Sequence, residues 1–224
     1  HINADNPLRA SRGDIVATNP CGEVPLYPYE ACVLGSINLG EMTTGGSVDW
    51  ERLEEHARLA TRFLDNAITM SEFPTDDIAD TVARSRKVGV GVMGLHDMLV
   101  DLGIPYDSPT AIEFAEELMD VISDVTWETS RELADERGTF PDWEDSAFDR
   151  PVRNATTTAI APTGTISMIA GVSASIEPLY AVAYVKQVMG GMEIVNDRFV
   201  EIARERGFYS EELIEDLFER SSLR

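Results

Sequence analysis

Residues 86–94 read Arg86-Lys87-Val88-Gly89-Val90-Gly91-Val92-Met93-Gly94, a β-branched apolar run punctuated by three glycines. Continuous apolar character of this length predicts a strand buried on both faces, and glycines inside a strand mark the close approach of a second backbone. The order of the glycines does not fit the GxGxxG pattern of a dinucleotide site, so close packing is the reading. The run feeds into Leu95 to Leu102, predicted helical. On its N-terminal side, Leu53, Ala57, Ala60, Leu64 and Ala67 share one face of a helix predicted from Asp49 to about Ser71. Pro74 then stops the chain, and Thr75 is placed to cap a new helix.

On the C-terminal side, Ser108-Pro109 opens a long amphipathic helix to about Arg137, with Gly138 at its end. Ala155-Thr156-Thr157-Thr158-Ala159-Ile160-Ala161 predicts a second buried strand, ending at Pro162-Thr163-Gly164-Thr165 with a helix from Ile166. Two further helices are expected near Asp197–Arg206 and Ser210–Glu219. Strands separated by long helices predict an α/β class with parallel strands. Residues 1–20 read as irregular and 19–40 as a loop dense in chemistry.

Composition excludes several classes. The chain has 224 residues, 43% hydrophobic, enough for one large domain. No apolar stretch approaches the roughly 18 residues of a membrane span, and no leader is evident, so a soluble cytoplasmic protein, cut from something longer, is expected. Acidic residues number 40 against 18 basic ones, for a net charge of −22, and only Lys87 and Lys186 are lysines. The acids are spread along helical stretches, as in proteins adapted to concentrated salt, where screening relieves self-repulsion. Such a surface argues against nucleic-acid backbone as a partner. Two cysteines without a CxxC, and histidines at 1, 56 and 96 with no ligand spacing, argue against a zinc site.

Chemistry gathers in two places. In Asn19-Pro20-Cys21-Gly22-Glu23, an amide, a thiol and a carboxyl alternate, and in an extended segment all three would face one side. Spacing alone favours a structural reading, since cysteine is commonly a small buried hydrophobe. Cys32 also reads as a buried thiol, or as a partner for Cys21. The turn Pro162-Thr163-Gly164-Thr165-Ile166-Ser167, between a strand and a helix, offers backbone N–H groups and hydroxyls to a phosphate. It lacks the lysine of a P-loop, and a plain capped turn explains it about as well.

Asn19-Pro20-Cys21-Gly22-Glu23, with Tyr29-Glu30-Ala31-Cys32-Val33-Leu34-Gly35-Ser36-Ile37-Asn38-Leu39, resembles the active-site loop of ribonucleotide reductase large subunits. Residues 88–95 and the block Ala161-Pro162-Thr163-Gly164-Thr165-Ile166-Ser167, running on to Ile176-Glu177-Pro178, are similar to two further blocks in family order. The resemblance implies part of a ten-stranded α/β barrel made of two five-stranded parallel halves. Residues 1–224 would hold the active-site loop (19–40) and much of the second half, including 155–178. It implies that Cys21 becomes a thiyl radical, that Glu23 is the general base, and that Asn19 holds the ribose hydroxyl. Cys32 would be one of two reducing thiols, its partner lying upstream of residue 1. Pro162, Thr163, Gly164 and Thr165 would receive the substrate phosphates, with Ser167 beside them.

The wording is most similar to the adenosylcobalamin-dependent class II enzymes; a radical from a metal-containing small subunit is the alternative. Implied partners are a ribonucleoside di- or triphosphate and a thioredoxin- or glutaredoxin-type reductant acting through a C-terminal tail; a homodimer is left open. Two rivals stand beside this reading: another thiol or radical oxidoreductase on a similar barrel, and a non-catalytic phosphate-binding module.

Overall fold

The computed structural model describes residues 2–186 and 191–220; His1 and the end of the chain at 221–224 lie outside the described residues. A short helix α1 (Arg9–Arg12) precedes strands β1 (Ala17–Thr18), β2 (Pro25–Leu26) and β3 (Val33–Asn38). A hairpin of β4 (Thr43–Thr44) and β5 (Ser47–Val48) leads into α2 (Trp50–Met70) and α3 (Asp76–Ser85). Then come β6 (Val88–Met93), α4 (Leu95–Leu102) and α5 (Pro109–Arg137). The remainder is α6 (Ile166–Ala170), the antiparallel pair β7 (Ala183–Lys186) and β8 (Met192–Val195), α7 (Asp197–Glu205) and α8 (Glu211–Arg220).

The helices start where their side chains supply the missing acceptors. Asp49 caps Arg52 N–H, Thr75 caps Ile78 N–H and Ser108 caps Ala111 N–H. Pro109 at the first turn of α5 and Gly138 after its last (φ 84°) bound the longest helix. β6 is buried at all six positions. Its Val88, Val90 and Val92 pack with Leu53, Ala57, Leu64 and Ile68 of α2 and with Leu118, Ile122 and Val125 of α5. Each such side chain taken out of water contributes about 2 kcal/mol. A smaller core of Leu8, Ile15, Tyr27, Phe140, Val152 and Ala155 ties the N-terminal segment to the region after α5.

Three expectations need correction. Residues 19–40 are not all loop: β3 runs parallel to β6 in the register Val33↔Val88 to Asn38↔Met93. Its strand conformation comes from pairing with β6, a partner 55 residues away by that register, which no local pattern reveals. The run 155–161 is extended but not a regular strand. It touches β6 through one parallel bridge, Val90↔Thr158, and three backbone bonds, from Val88 N–H to Thr156 O, Val90 N–H to Thr157 O and Ala159 N–H to Val90 O. The helix after Thr165 is only five residues long, closed by Gly171 at φ 70°. Among the described residues the parallel strands do not close into a barrel; β3 and β6 form a two-stranded sheet.

Candidate active site

β1 and β2 form a ladder of only two pairs, Ala17↔Leu26 and Thr18↔Pro25, and carry residues 19–24 between them. Pro20 presets the second position of a turn in which Gly22 N–H donates to Asn19 O at 3.0 Å. Gly22 takes φ 87°, which a residue with a Cβ adopts only under strain. Asn19 N–H donates to Val24 O at 3.1 Å, and Asn19 Oδ1 accepts from Val24 N–H at 3.0 Å. Asn19, Cys21 and Glu23 are therefore not alternate residues of an extended strand, as expected, because the Pro-Cys-Gly turn folds the chain back between them. The outcome is a different division of environments. Cys21 is exposed at the tip, Asn19 Oδ1 closes the loop while its Nδ2 makes no hydrogen bond among the described residues, and Glu23 is half-buried.

Glu23 Oε2 is buried and has no hydrogen-bond partner among the described residues. An unpartnered buried acceptor is costly and belongs where a ligand completes it. Cys32 lies one residue before β3, half-buried, with Sγ 3.7 Å from Val33 O. Burial pushes its thiol up to about 12; the Lys87 ammonium opposes this, and the Glu30 and Glu23 carboxylates add to it. Glu23 and Cys32 are thus close enough to act on one another electrostatically, although nine residues separate them in sequence.

Beneath the hairpin sits a set of charges that sequence reading passed over. Glu30, with no exposed side-chain surface, receives Arg12 Nη1 at 3.0 Å and Lys87 Nζ at 2.8 Å. Ser85 Oγ and the Tyr27 N–H also donate to it, so both of its oxygens are satisfied. Lys87 Nζ donates in addition to Pro25 O of β2 at 2.9 Å. The Tyr27 ring lies under both cations, 4.6 Å from the Arg12 guanidinium and 5.2 Å from the Lys87 ammonium.

The turn after residue 161 is held by other means. Thr163, at φ 53°, accepts the Ser175 N–H on its Oγ1 at 2.7 Å, so that hydroxyl braces the return segment. Gly164, Thr165 and Ile166 are exposed, and their backbone N–H groups have no backbone acceptor among the described residues. Ser167 is buried and lines, with Gly164, Ser173 and Glu177, a cavity of about 230 Å³. Asn19, Cys21 and Glu23 do not line that cavity. The hairpin is anchored at the N-terminal end of β6 through Lys87, whereas the turn follows the C-terminal end of the run beside β6. Six strand residues span roughly 20 Å, so the two halves of the predicted site start from opposite ends of the sheet. Behind the turn, Leu179 N–H donates to His96 Nδ1 at 2.7 Å, and burial lowers the pKa of that imidazole.

Comparison with known proteins gives this geometry a family context. The family model described as "Ribonucleotide reductase, barrel domain" matches residues 1–152 and 149–223. A vitamin B12-dependent ribonucleoside-diphosphate reductase of Mycobacterium tuberculosis is 51% identical over 226 residues, covering 100% of this chain and 32% of the relative. One from Thermoplasma acidophilum is 49% identical, covering 99% of this chain and 30% of the relative. Among solved structures, the Actinobacillus ureae class Id ribonucleotide reductase alpha subunit superimposes with a TM-score of 0.76 at 26% identity. That match covers 96% of this chain and 40% of the other. The chain thus spans about a third of the length of the curated relatives it matches.

Proposed function

The chain belongs to the ribonucleotide reductase barrel-domain family, and on that premise we propose that it is the part of the enzyme carrying the radical cysteine, the general base and one reducing thiol. In the full-length protein it reduces ribonucleoside diphosphates, the substrate class in the names of its relatives, to 2′-deoxyribonucleotides. In the family barrel it contributes the active-site loop and much of one five-stranded parallel half. The observation that carries this reading is the hairpin, which exposes the Cys21 thiol while burying a Glu23 oxygen that has no hydrogen-bond partner among the described residues.

The chemistry follows from those environments. The Cys21 sulfur radical takes the 3′ hydrogen atom of the ribose, forming an S–H bond and leaving a carbon radical. Glu23 Oε2, lacking a partner, accepts the 3′-hydroxyl proton. Asn19 Nδ2 donates to the same hydroxyl oxygen. The 2′-hydroxyl takes a proton from the thiol pair and leaves as water, and Cys32 with a second thiol outside the chain supplies two electrons and the hydrogen that C2′ gains, ending as a disulfide. A thiol held near 12 stays protonated at neutral pH, which suits a group that must deliver hydrogen rather than attack as a thiolate. At the end of the reaction Cys21 recovers its radical by giving a hydrogen atom back to C3′.

Substrate phosphates fit the turn at Pro162, Thr163, Gly164, Thr165 and Ser167 through its exposed amides. A five-residue helix adds little dipole, so direct N–H donation is the main attraction there. Adenosylcobalamin, when bound, supplies a carbon-centred radical that takes a thiol hydrogen atom. Of this chain's residues, Cys21 with its flanking Pro20 and Gly22 would face it; Cys21 is exposed and makes no hydrogen bond among the described residues. The Nδ1 atoms of His56 and His96 are already engaged by Arg52 O and Leu179 N–H. A thioredoxin-type reductant, a homodimer and a cytoplasmic location complete the proposal.

Cys21→Ala in the full-length enzyme tests it. Deoxynucleotide formation should vanish while nucleotide binding, measured by equilibrium dialysis, stays within about twofold, since the phosphate turn is untouched. Turnover retained in that variant removes Cys21 from the mechanism.

A further inference from the structure

A two-pair β-ladder is too short to hold itself, yet here it must hold a radical centre in place. The buried Lys87–Glu30 pair lies where the support is needed. Lys87 is 3% exposed and reaches the hairpin backbone at Pro25 O, two residues after Glu23. It also immediately precedes β6, as Cys32 immediately precedes β3, and the register Val33↔Val88 sets the two side by side. The residue type is itself informative. In a chain whose basic residues are arginine at 16 of 18 positions, a lysine at a buried site points to a demand for a compact ammonium, with three donors, that a planar guanidinium does not meet. Two of those donors go to Glu30 Oε2 and Pro25 O, while Glu30 also fixes the Tyr27 N–H at the foot of the hairpin.

We propose that Lys87 and Glu30 are positioning residues, a buried ion pair that sets the height of the Cys21–Glu23 hairpin against Cys32, so that hydrogen abstraction and 2′ reduction stay coupled. Neither touches the substrate. The inference rests on the radical-cysteine reading above. It separates the two half-reactions: abstraction needs only Cys21 at C3′, whereas reduction needs Cys32 at the correct distance from the same ribose.

The test uses the full-length enzyme with its radical source and a 3′-tritiated ribonucleoside diphosphate, comparing wild type, Cys21→Ala, Lys87→Met, Lys87→Arg and Lys87→Met/Glu30→Gln. A thiol hydrogen exchanges with water, so tritium released to solvent reports abstraction, and deoxynucleotide reports complete turnover. Lys87→Met leaves a buried carboxylate short of one partner; the double variant removes both charges of the pair, leaves Arg12 its ion pair with Asp142 at 3.7 Å, and is taken forward once circular dichroism shows a wild-type spectrum. In the double variant kcat should fall about 100-fold with KM within about twofold, as for a displacement near 1 Å, and tritium released per product should rise at least tenfold. Lys87→Arg should show the same rise, because the fork does not replace the ammonium. Wild-type kcat in the double variant, or a lower kcat with unchanged tritium per product, overturns the positioning role. Cys21→Ala in the same series should lose tritium release and product together; if it does not, the radical-cysteine reading fails instead.

Discussion

Cys21 and Cys32 are eleven residues apart and chemically opposite. One sits exposed on a turn and the other is half-buried beside a strand end, where the loss of solvation outweighs the nearby ammonium and holds the thiol near 12. An unfolded-chain cysteine titrates near 8.5. Iodoacetamide at pH 8 should therefore modify Cys21 in the folded chain and leave Cys32 intact, with both modified in denaturant; mass spectrometry of the peptides reads the difference. The sign for stability follows. Cys32 keeps its proton in the folded state above the pH at which the unfolded chain loses it. Its contribution is thus complete below about pH 8.5 and declines as pH rises from there toward 12. His96 runs the other way: its folded pKa is lowered, so its contribution is complete above about 6.5 and declines as pH falls below that. Sequence singled out both cysteines as candidates. It did not order their reactivity, because burial, Lys87 and Glu23 act through space.

The strand that decided the fold class is also the least tolerant element. A Cβ on Gly91 would run into Ala159 O, and one on Gly89 would meet Leu34 Cδ2 at 2.6 Å and Ala159 Cβ at 2.7 Å. Backbone obstructs the first and a movable side chain part of the second. Gly91→Ala should consequently destabilise by about 3 kcal/mol, the upper part of the range for overpacking, and Gly89→Ala by less; urea unfolding followed by circular dichroism distinguishes them. Helices α2, α4 and α5, and the start of α3, were legible to within a residue or two because caps, proline and glycine are local signals. β3 was not, since its sequence overlaps the chemically dense loop and its partner β6 is remote. The run 155–161 looked like a strand from its threonines, but it meets β6 at a single bridge.

At the scale of the molecule, charge dominates. Acids such as Glu51, Glu54, Glu113, Glu117 and Asp120 are exposed, and the cross-helix pairs Arg58–Glu128, Arg58–Glu132 and Arg62–Glu136 neutralise only a few of them. Exposed pairs of this kind contribute little individually. Net repulsion at −22 is long-ranged, and salt screens it. The melting temperature should rise when KCl is raised from about 0.1 M to about 2 M, where the Debye length falls from about 10 Å to under 3 Å. A fall or no change would show that the acidic surface is no adaptation to salt.

The sequence by itself determined the long helices, the buried strand β6, the acidic surface and, through three motifs in family order, the family to which the chain belongs. Those are local or linear properties, written in spacing, caps and composition. Tertiary structure alone decided what surrounds them. It turned Asn19–Glu23 back on itself, set Lys87 against Glu30 and Pro25 O, and gathered Arg86, Arg137 and Arg153 around the fully buried Asp65. The arginines lie 21, 72 and 88 residues from that aspartate in the chain. Electrostatic strength depends on distance and desolvation in space, and a linear pattern carries neither.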